Sequence, residues 1–265
     1  MIQLFRATNF RCLESVELKF GPRFNLISGA NASGKTSLLE GLAYLGRGKS
    51  FRGASTANLT RYGEAGFLLY GEVEAGHGRL SVGVSNSREG LEVRVGGESA
   101  GGAAVLAEAL PLQVIDPEVH NLIAGGPELR RRFLDWVAFH VEHGHLFVWR
   151  KYRRALKQRN AALKARSAEA VIRSWNAEFL DLADLLDQSR RRVLELSTNS
   201  LQEHGYALLE TLLAFEYQQG WAREKDLAEA LEDGLERDLH LGSTQSGPHR
   251  ADIKVSYDER QARKL

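Results

Sequence analysis

Eight residues, Gly29-Ala30-Asn31-Ala32-Ser33-Gly34-Lys35-Thr36, have the types and spacing to hold phosphate. The order G-x-x-x-x-G-K-[ST] lets a backbone loop wrap an anion with several N–H groups pointing inward. A helix opening at the lysine adds the positive end of its dipole. In that pattern Lys35 reaches the terminal phosphates and the Thr36 hydroxyl is placed on Mg²⁺. The expected nucleotide-binding set is Gly29, Ala30, Asn31, Ala32, Ser33, Gly34, Lys35, Thr36 and Ser37, with Thr36 also on the metal side. The motif implies a P-loop nucleotide-binding fold without saying which kind.

The flanking sequence must position that loop. Phe24 to Ser28 reads as a short apolar strand after the Gly21-Pro22 turn, and Leu38, Leu39, Leu42 and Leu45 recur at helical spacing from Lys35 to Leu45. Leu4 to Ala7 and Val16 to Phe20 predict two earlier strands. Residues 62–102 hold eleven glycines and the β-type runs Phe67 to Val73, Leu80 to Val84 and Leu91 to Val95. With turns at Gly76-His77-Gly78 and at Ser85 to Gly90, they predict an antiparallel meander. Leu112 to Ile115 predicts a further strand, ended by Asp116-Pro117. Proline is absent between Pro127 and Pro248, and the pattern is helical from about 118 to 240; Leu212 to Tyr217 also fits a strand. Ala251 to Ser256 returns to strand.

The chain has 265 residues, 43% apolar and 26% charged, with a net charge of +1. No apolar run approaches the ~18 residues of a membrane span, and the N-terminus lacks a secretory pattern. Cys12 is the single cysteine, which excludes an internal disulfide or a CxxC zinc site. A cytoplasmic protein is expected. The near-zero net charge hides a polarity: residues 121–180 carry +7 and residues 181–240 carry −8.

The basic part is concentrated at 147–166, where Arg150, Arg153, Arg154 and Lys157 fall at i, i+3, i+4 and i+7 of a helix. Val148, Tyr152, Ala155, Leu156 and Leu163 form its core-facing side. One reading is a stripe that neutralises DNA phosphates without reading sequence; the other is a solvated face. Arg130-Arg131-Arg132 follows a Gly-Gly-Pro turn, and either pairs with acids of the 181–240 block or meets nucleotide or DNA. Asp116 ends an apolar run and is either a Mg²⁺-side acid or the cap of an Asp-Pro turn. His140, His143 and His145 are a weak metal triplet without a fourth ligand at standard spacing. His249 lies in a tight turn and is a candidate for a functional role. Trp136, Trp149, Trp175 and Trp221 read as core rather than as base-stacking platforms.

Several segments together resemble one family. They are Asn9-Phe10-Arg11 before the P-loop, Gly48-Lys49-Ser50-Phe51-Arg52, Asp116-Pro117-Glu118, Gly125-Gly126-Pro127, Arg131-Arg132-Phe133-Leu134-Asp135, Leu156 to Leu163, and Gly247-Pro248-His249-Arg250-Ala251-Asp252. In this order they resemble the RecF family of bacterial DNA replication and repair proteins, across the whole chain. The resemblance implies an α/β fold: a P-loop ABC-type ATPase head, with a mixed sheet lobe carrying an antiparallel meander and a mainly helical lobe. It implies a nucleotide-binding lobe at 1–117 and 241–265 and a helical lobe at 118–240. Asp116-Pro117-Glu118 is then the crossing between lobes, and the 247–250 turn is placed near the lobe interface. The resemblance further implies ATP and Mg²⁺ as cofactors and, for the full-length family, an ATP-dependent homodimer. The implied partners are DNA at single-strand/double-strand junctions, with RecO and RecR, in placing RecA on gapped DNA; ATP turnover is weak and DNA-stimulated.

Two departures stand out. Ala32 replaces the glycine usual at that P-loop position, and alanine tolerates positive φ poorly. The sequence holds no Leu-Ser-x-Gly-Gln; Leu241 to Gly247 has similar letters in the wrong order. The chain therefore reads as a fragment that stops before the signature motif, Walker B strand and catalytic glutamate. A small-molecule phosphotransferase is the competing reading, which the meander and the large helical block do not suit. A nuclease would need a carboxylate cluster that is not visible.

Overall fold

A computed structural model describes residues 1–75, 78–258 and 260–264. Gly76 and His77 of the expected first meander turn lie outside the described residues. The chain divides into two compact units, Met1–Asp116 and Pro117–Leu265.

The first unit opens with strands β1 (Ile2–Phe10) and β2 (Leu13–Lys19), followed by helix α1 (Lys35–Arg47). Then come β3 (Phe67–Ala75), β4 (Gly78–Ser87), β5 (Gly90–Val95), β6 (Glu98–Ser99) and helix α2 (Ala103–Ala109). The strands form one six-stranded antiparallel sheet in the order β2-β1-β3-β4-β5-β6. Its pairing is held by alternation: Phe67, Leu69 and Val73 of β3 and Val82 and Val84 of β4 are buried on one face. Helix α1 lies on that face through Leu38, Tyr44 and Leu45. The approach is close enough that a Cβ on Gly71 would sit 2.7 Å from Leu45 and one on Gly41 3.0 Å from Phe5. Phe10, Tyr44 and Phe67 complete the core edge to face, with centroids 5.2 and 5.8 Å apart at Phe67.

Two expected strands are not formed. Residues 24–28 are irregular, and Phe24 and Leu26 are 97% and 94% exposed. A strand needs a neighbour for its N–H and C=O groups, and no described strand lies alongside. Instead Asn25 closes a local turn, with Oδ1 accepting from the Gly21 N–H at 2.8 Å and Nδ2 donating to the Gly21 carbonyl at 3.1 Å. Leu112 to Ile115 is likewise extended but unpaired among the described residues, with Ile115 79% exposed. Helix α2 was not signalled, because only Leu106 of it is fully buried.

The second unit is mainly helical. It comprises α3 (Asn121–Ala124), α4 (Pro127–Val141), α5 (His145–Lys164), α6 (Glu169–Ser174) and the long α7 (Asn176–Leu209). After strand β7 (Leu213–Gln218) follow α8 (Leu227–Asp233), α9 (Leu235–Leu241), β8 (Asp252–Tyr257) and β9 (Arg260–Gln261). Helix α4 starts on Pro127 at a position where a missing N–H costs nothing. Helices α5 and α7 pack through Tyr152, Ala155, Phe179, Ala183 and Leu186. The segment 212–217 takes its strand alternative: β7 pairs antiparallel with β8, Phe215 opposite Val255. That pairing corrects the expected lobe boundaries. Residues 241–265 group with 117–240 rather than with the first unit, because β8 needs β7 as its partner and Ile253 packs on Leu134 and Leu194.

Candidate functional site

The phosphate loop sits on the first unit between the irregular segment and α1. Gly34 caps the helix in the left-handed region (φ 94°), and no side chain caps the first-turn N–H groups. No acidic residue occupies that turn, so the positive end of α1 is unneutralised. Lys35 Nζ folds back onto the loop and donates to the carbonyls of Gly29 (2.8 Å) and Ala30 (2.7 Å). Thr36 is exposed, and its hydroxyl makes no hydrogen bond among the described residues. Ala32 does adopt positive φ (64°), as the substitution for glycine implied. A left-handed alanine costs about 1–2 kcal/mol, which the loop tolerates. Gly29 to Ser37 thus form a loop with first-turn amide donors, a lysine held only by loop carbonyls and a free Thr36 hydroxyl, a set suited to a polyphosphate.

Behind the loop, motif residues clamp α1. Arg11 (φ 55°) sends its guanidinium onto Glu40, with Nε at 3.0 Å and Nη2 at 2.9 Å, and donates to the Asn58 carbonyl at 2.9 Å. Glu40 is fully buried and also accepts from Ser50 at 2.5 Å. Burial opposes its ionisation, but the Arg11 and Ser50 hydrogen bonds hold its carboxyl below the usual range. The same Ser50 hydroxyl accepts from the Arg52 N–H at 3.0 Å. Asn9-Phe10-Arg11 and Gly48 to Arg52 are therefore two ends of one buried network, and Glu40, which the sequence did not single out, is its centre.

In the second unit most motif residues are also structural. None of Arg130, Arg131 and Arg132 pairs with an acid of 181–240 among the described residues. Arg130, 5% exposed, forks onto Asp252 at 2.6 and 3.0 Å and donates to three carbonyls. Arg132 pairs with Glu128 on the surface, and Arg131 donates to the Ala251 carbonyl at 2.7 Å. Arg159, counted with the basic stretch, is fully buried against Asp238 (2.7 Å), Thr244 (2.7 Å) and Asn176 (3.1 Å). It stands at helical spacing from Tyr152 and Ala155, and this apolar spacing was the signal for its burial. In contrast, Arg150, Arg153, Arg154 and Lys157 are all exposed, and none makes an ion pair among the described residues. Arg153 lies 4.9 Å over the Trp149 ring.

The remaining candidates resolve simply. No group of three His, Cys, Asp or Glu suited to a metal exists among the described residues, and His145 instead bonds Ser189 at 2.8 Å. Trp149 and Trp221 pack on the α5–α7 core and Trp175 on the α5–α9 side. Asp116 ends the first unit, and Glu118 lies one residue inside the second, which begins at Pro117. No helix of the described residues is long and apolar enough to cross a membrane.

Known proteins match this architecture. A family model described as an AAA domain matches residues 6–102. The DNA replication and repair protein RecF of Cronobacter sakazakii is 39% identical over 252 residues, 94% of this chain and 71% of that protein. The chain belongs to the RecF family. The RecF of Yersinia pseudotuberculosis is 40% identical over the same length. Among solved structures, that of the recombination mediator protein RecF-ATP in the RecFOR pathway aligns with all of this chain and 75% of its own, at TM-score 0.89 and 25% identity. An Smc head domain from Pyrococcus furiosus aligns at TM-score 0.52 and 15% identity, which shows the shared fold. The RecF-family chain is thus an α/β ABC-type ATPase head, with an antiparallel meander and a mainly helical part.

The family turn at 247–250 is held by His249. Its Nε2 faces the Thr244 carbonyl at 2.8 Å and so carries the hydrogen; its Nδ1 accepts from the Tyr152 hydroxyl at 2.8 Å. Burial, and then the charges of Arg250, Arg131 and Arg159, push the imidazole down to about 4, although the Thr244 carbonyl pulls the other way. The unfolded chain takes up this proton near pH 6.5, which the folded chain refuses until about pH 4. The contribution is therefore complete above pH 6.5 and is lost as pH falls through that window. Its loss amounts to roughly 3 kcal/mol. Denaturant unfolding between pH 7 and 4 checks this: His249→Gln, which keeps a donor for Thr244 but does not titrate, should flatten the slope. Identical pH profiles would refute it.

Proposed function

We propose that this chain is an ATP-binding DNA replication and repair protein. In this reading Gly29 to Ser37 hold ATP, and the exposed stripe of α5 contacts DNA at single-strand/double-strand junctions. It acts with RecO and RecR to place RecA on gapped DNA. In the full-length family ATP serves mainly as a switch for dimerisation, with slow, DNA-stimulated turnover; the residues present here, which include no Leu-Ser-x-Gly-Gln, supply the nucleotide-binding part. Residues 1–116 are the nucleotide-binding unit, and the helical block from 117 is the DNA-facing one. The observation that carries this is Lys35. Its ammonium rests on two loop carbonyls at the foot of an uncapped helix, in a chain whose relative is described as RecF-ATP. Phosphate oxygens substitute for those carbonyls at little cost, since the ammonium keeps its hydrogen-bond count. Mg²⁺, when bound, neutralises charge on the phosphates, and the free Thr36 hydroxyl is the residue here to hold it. RecF-family membership favours this reading over a small-molecule phosphotransferase.

Two experiments test it. With Mg²⁺-ATP about a hundredfold above its Kd, thermal unfolding of the wild type should rise by roughly 5 °C or more. Lys35→Ala should show little of this protection; equal protection would remove the assignment. For DNA, reversing Arg150, Arg153, Arg154 and Lys157 to Glu should weaken binding to all sequences alike. The slope of log affinity against log salt should fall by about three to four. An unchanged affinity and slope would return the stripe to a merely solvated face.

A further inference from the structure

A second cationic feature lies on the helical unit, where α4, α5, α7 and the 248–250 turn line an open cavity of about 270 Å³. That size suits a small anion better than a drug-sized ligand. Four arginines line it, and two of them are already matched. Arg190 is held by the Asp135 fork at 2.8 and 3.0 Å and by the Pro248 carbonyl at 2.6 Å. Arg132 is paired with Glu128 out in solvent.

Arg131 and Arg153 remain. Arg131 is half-buried, with a hydrogen bond to the neutral Ala251 carbonyl and no carboxylate at ion-pair distance among the described residues. Burial, and next the charge of Arg190, work against its protonated form. A guanidinium does not give up its proton at physiological pH, so the positive charge stays; Asp252, Glu128 and Asp135 favour it from beyond ion-pair distance, each already paired with another arginine. Arg153 enters from α5, stacked on the Trp149 indole and free of acids. The other polar groups of the wall, Tyr152, His249 and Asp135, are engaged with one another or with Arg190 and Trp149, and so do not compete for a ligand.

We propose that this cavity is a phosphate-binding site in which Arg131 of α4 and Arg153 of α5 close on one phosphate group. An oxyanion supplies both guanidiniums with charge-assisted hydrogen bonds and relieves the charge that Arg131 holds beside Arg190. Arg153 also belongs to the exposed stripe of α5, so a nucleic-acid strand lying along that stripe offers the cavity a phosphodiester. A phosphorylated small molecule offers the same chemistry. The site does not rest on the nucleotide assignment, since no P-loop residue takes part.

The test uses the whole 265-residue chain labelled with ¹⁵N at the tryptophan indoles, with the Trp149 signal assigned through Trp149→Phe. Titration with inorganic phosphate should shift the Trp149 indole N–H saturably. Arg131→Gln and Arg153→Gln should each weaken that binding about tenfold. Arg88→Gln, which removes one charge from an exposed turn of the other unit, should not. Arg153 is a surface residue, so its variant keeps the test valid if Arg131→Gln folds poorly. Displacement of phosphate by a single-stranded oligonucleotide identifies the nucleic-acid backbone as the source. Displacement by a sugar phosphate but not by the oligonucleotide identifies a small molecule. No saturable shift, or equal shifts in wild type and both variants, would overturn the site. Loss of ATP protection in Lys35→Ala leaves this result untouched, so the two assignments fail separately.

Discussion

A guanidinium buried away from water is costly to the fold unless a carboxylate meets it. Four such meetings organise this molecule: Arg11 with Glu40, Arg130 with Asp252, Arg159 with Asp238 and Arg190 with Asp135. Each pins a segment that hydrophobic packing alone would leave loose. Arg11 and Glu40 tie the end of β1 to α1 and, through Ser50, to the loop after it. Arg130 ties α4 to β8. Arg159 gathers α5, α9 and the Thr244 turn. Arg190 joins α7 to α4 and to Pro248. Breaking such a pair from one side costs about 3–5 kcal/mol, because the other charge stays buried.

This constraint sorts the cations of the chain by task. Charges locked in buried forks set geometry and have no free hydrogen-bond valence to offer a ligand in the paired direction. The packing leaves other cations open, among them Lys35 on its own loop carbonyls, the four side chains of the α5 stripe, and Arg131. The phosphate loop depends on this sorting. Its helix is anchored from behind by Arg11 and Glu40, so the amide-bearing front is held without a cap across its N–H groups. A rigid back and an open front are what preorganised anion binding requires.

The parts legible in sequence are those with local causes. The phosphate loop, the α1 periodicity, the meander and the α5 stripe follow from spacing along a few turns or strands. The strand at 24–28 was misread because alternation and apolar character describe a strand's faces, whereas its existence depends on a neighbour, and here Asn25 turns the chain locally instead. The buried pairs were illegible for a related reason: their partners lie 29, 55, 79 and 122 residues apart. Charge counting also groups Arg159 with the basic stretch at 147–166, although its helical spacing from Tyr152 and Ala155 marks the core side.

The division between structural and ligand-facing arginines is the central claim, and one paired measurement tests it most directly. Arg159→Gln and Arg154→Gln stand on the same helix and remove the same charge. Stability by denaturant and DNA affinity at a temperature where both are folded are to be measured on each. The account predicts that Arg159→Gln loses about 3 kcal/mol or more of stability with DNA affinity unchanged. Arg154→Gln should keep its stability and weaken DNA binding. Wild-type stability in Arg159→Gln, together with weakened DNA binding, would contradict it.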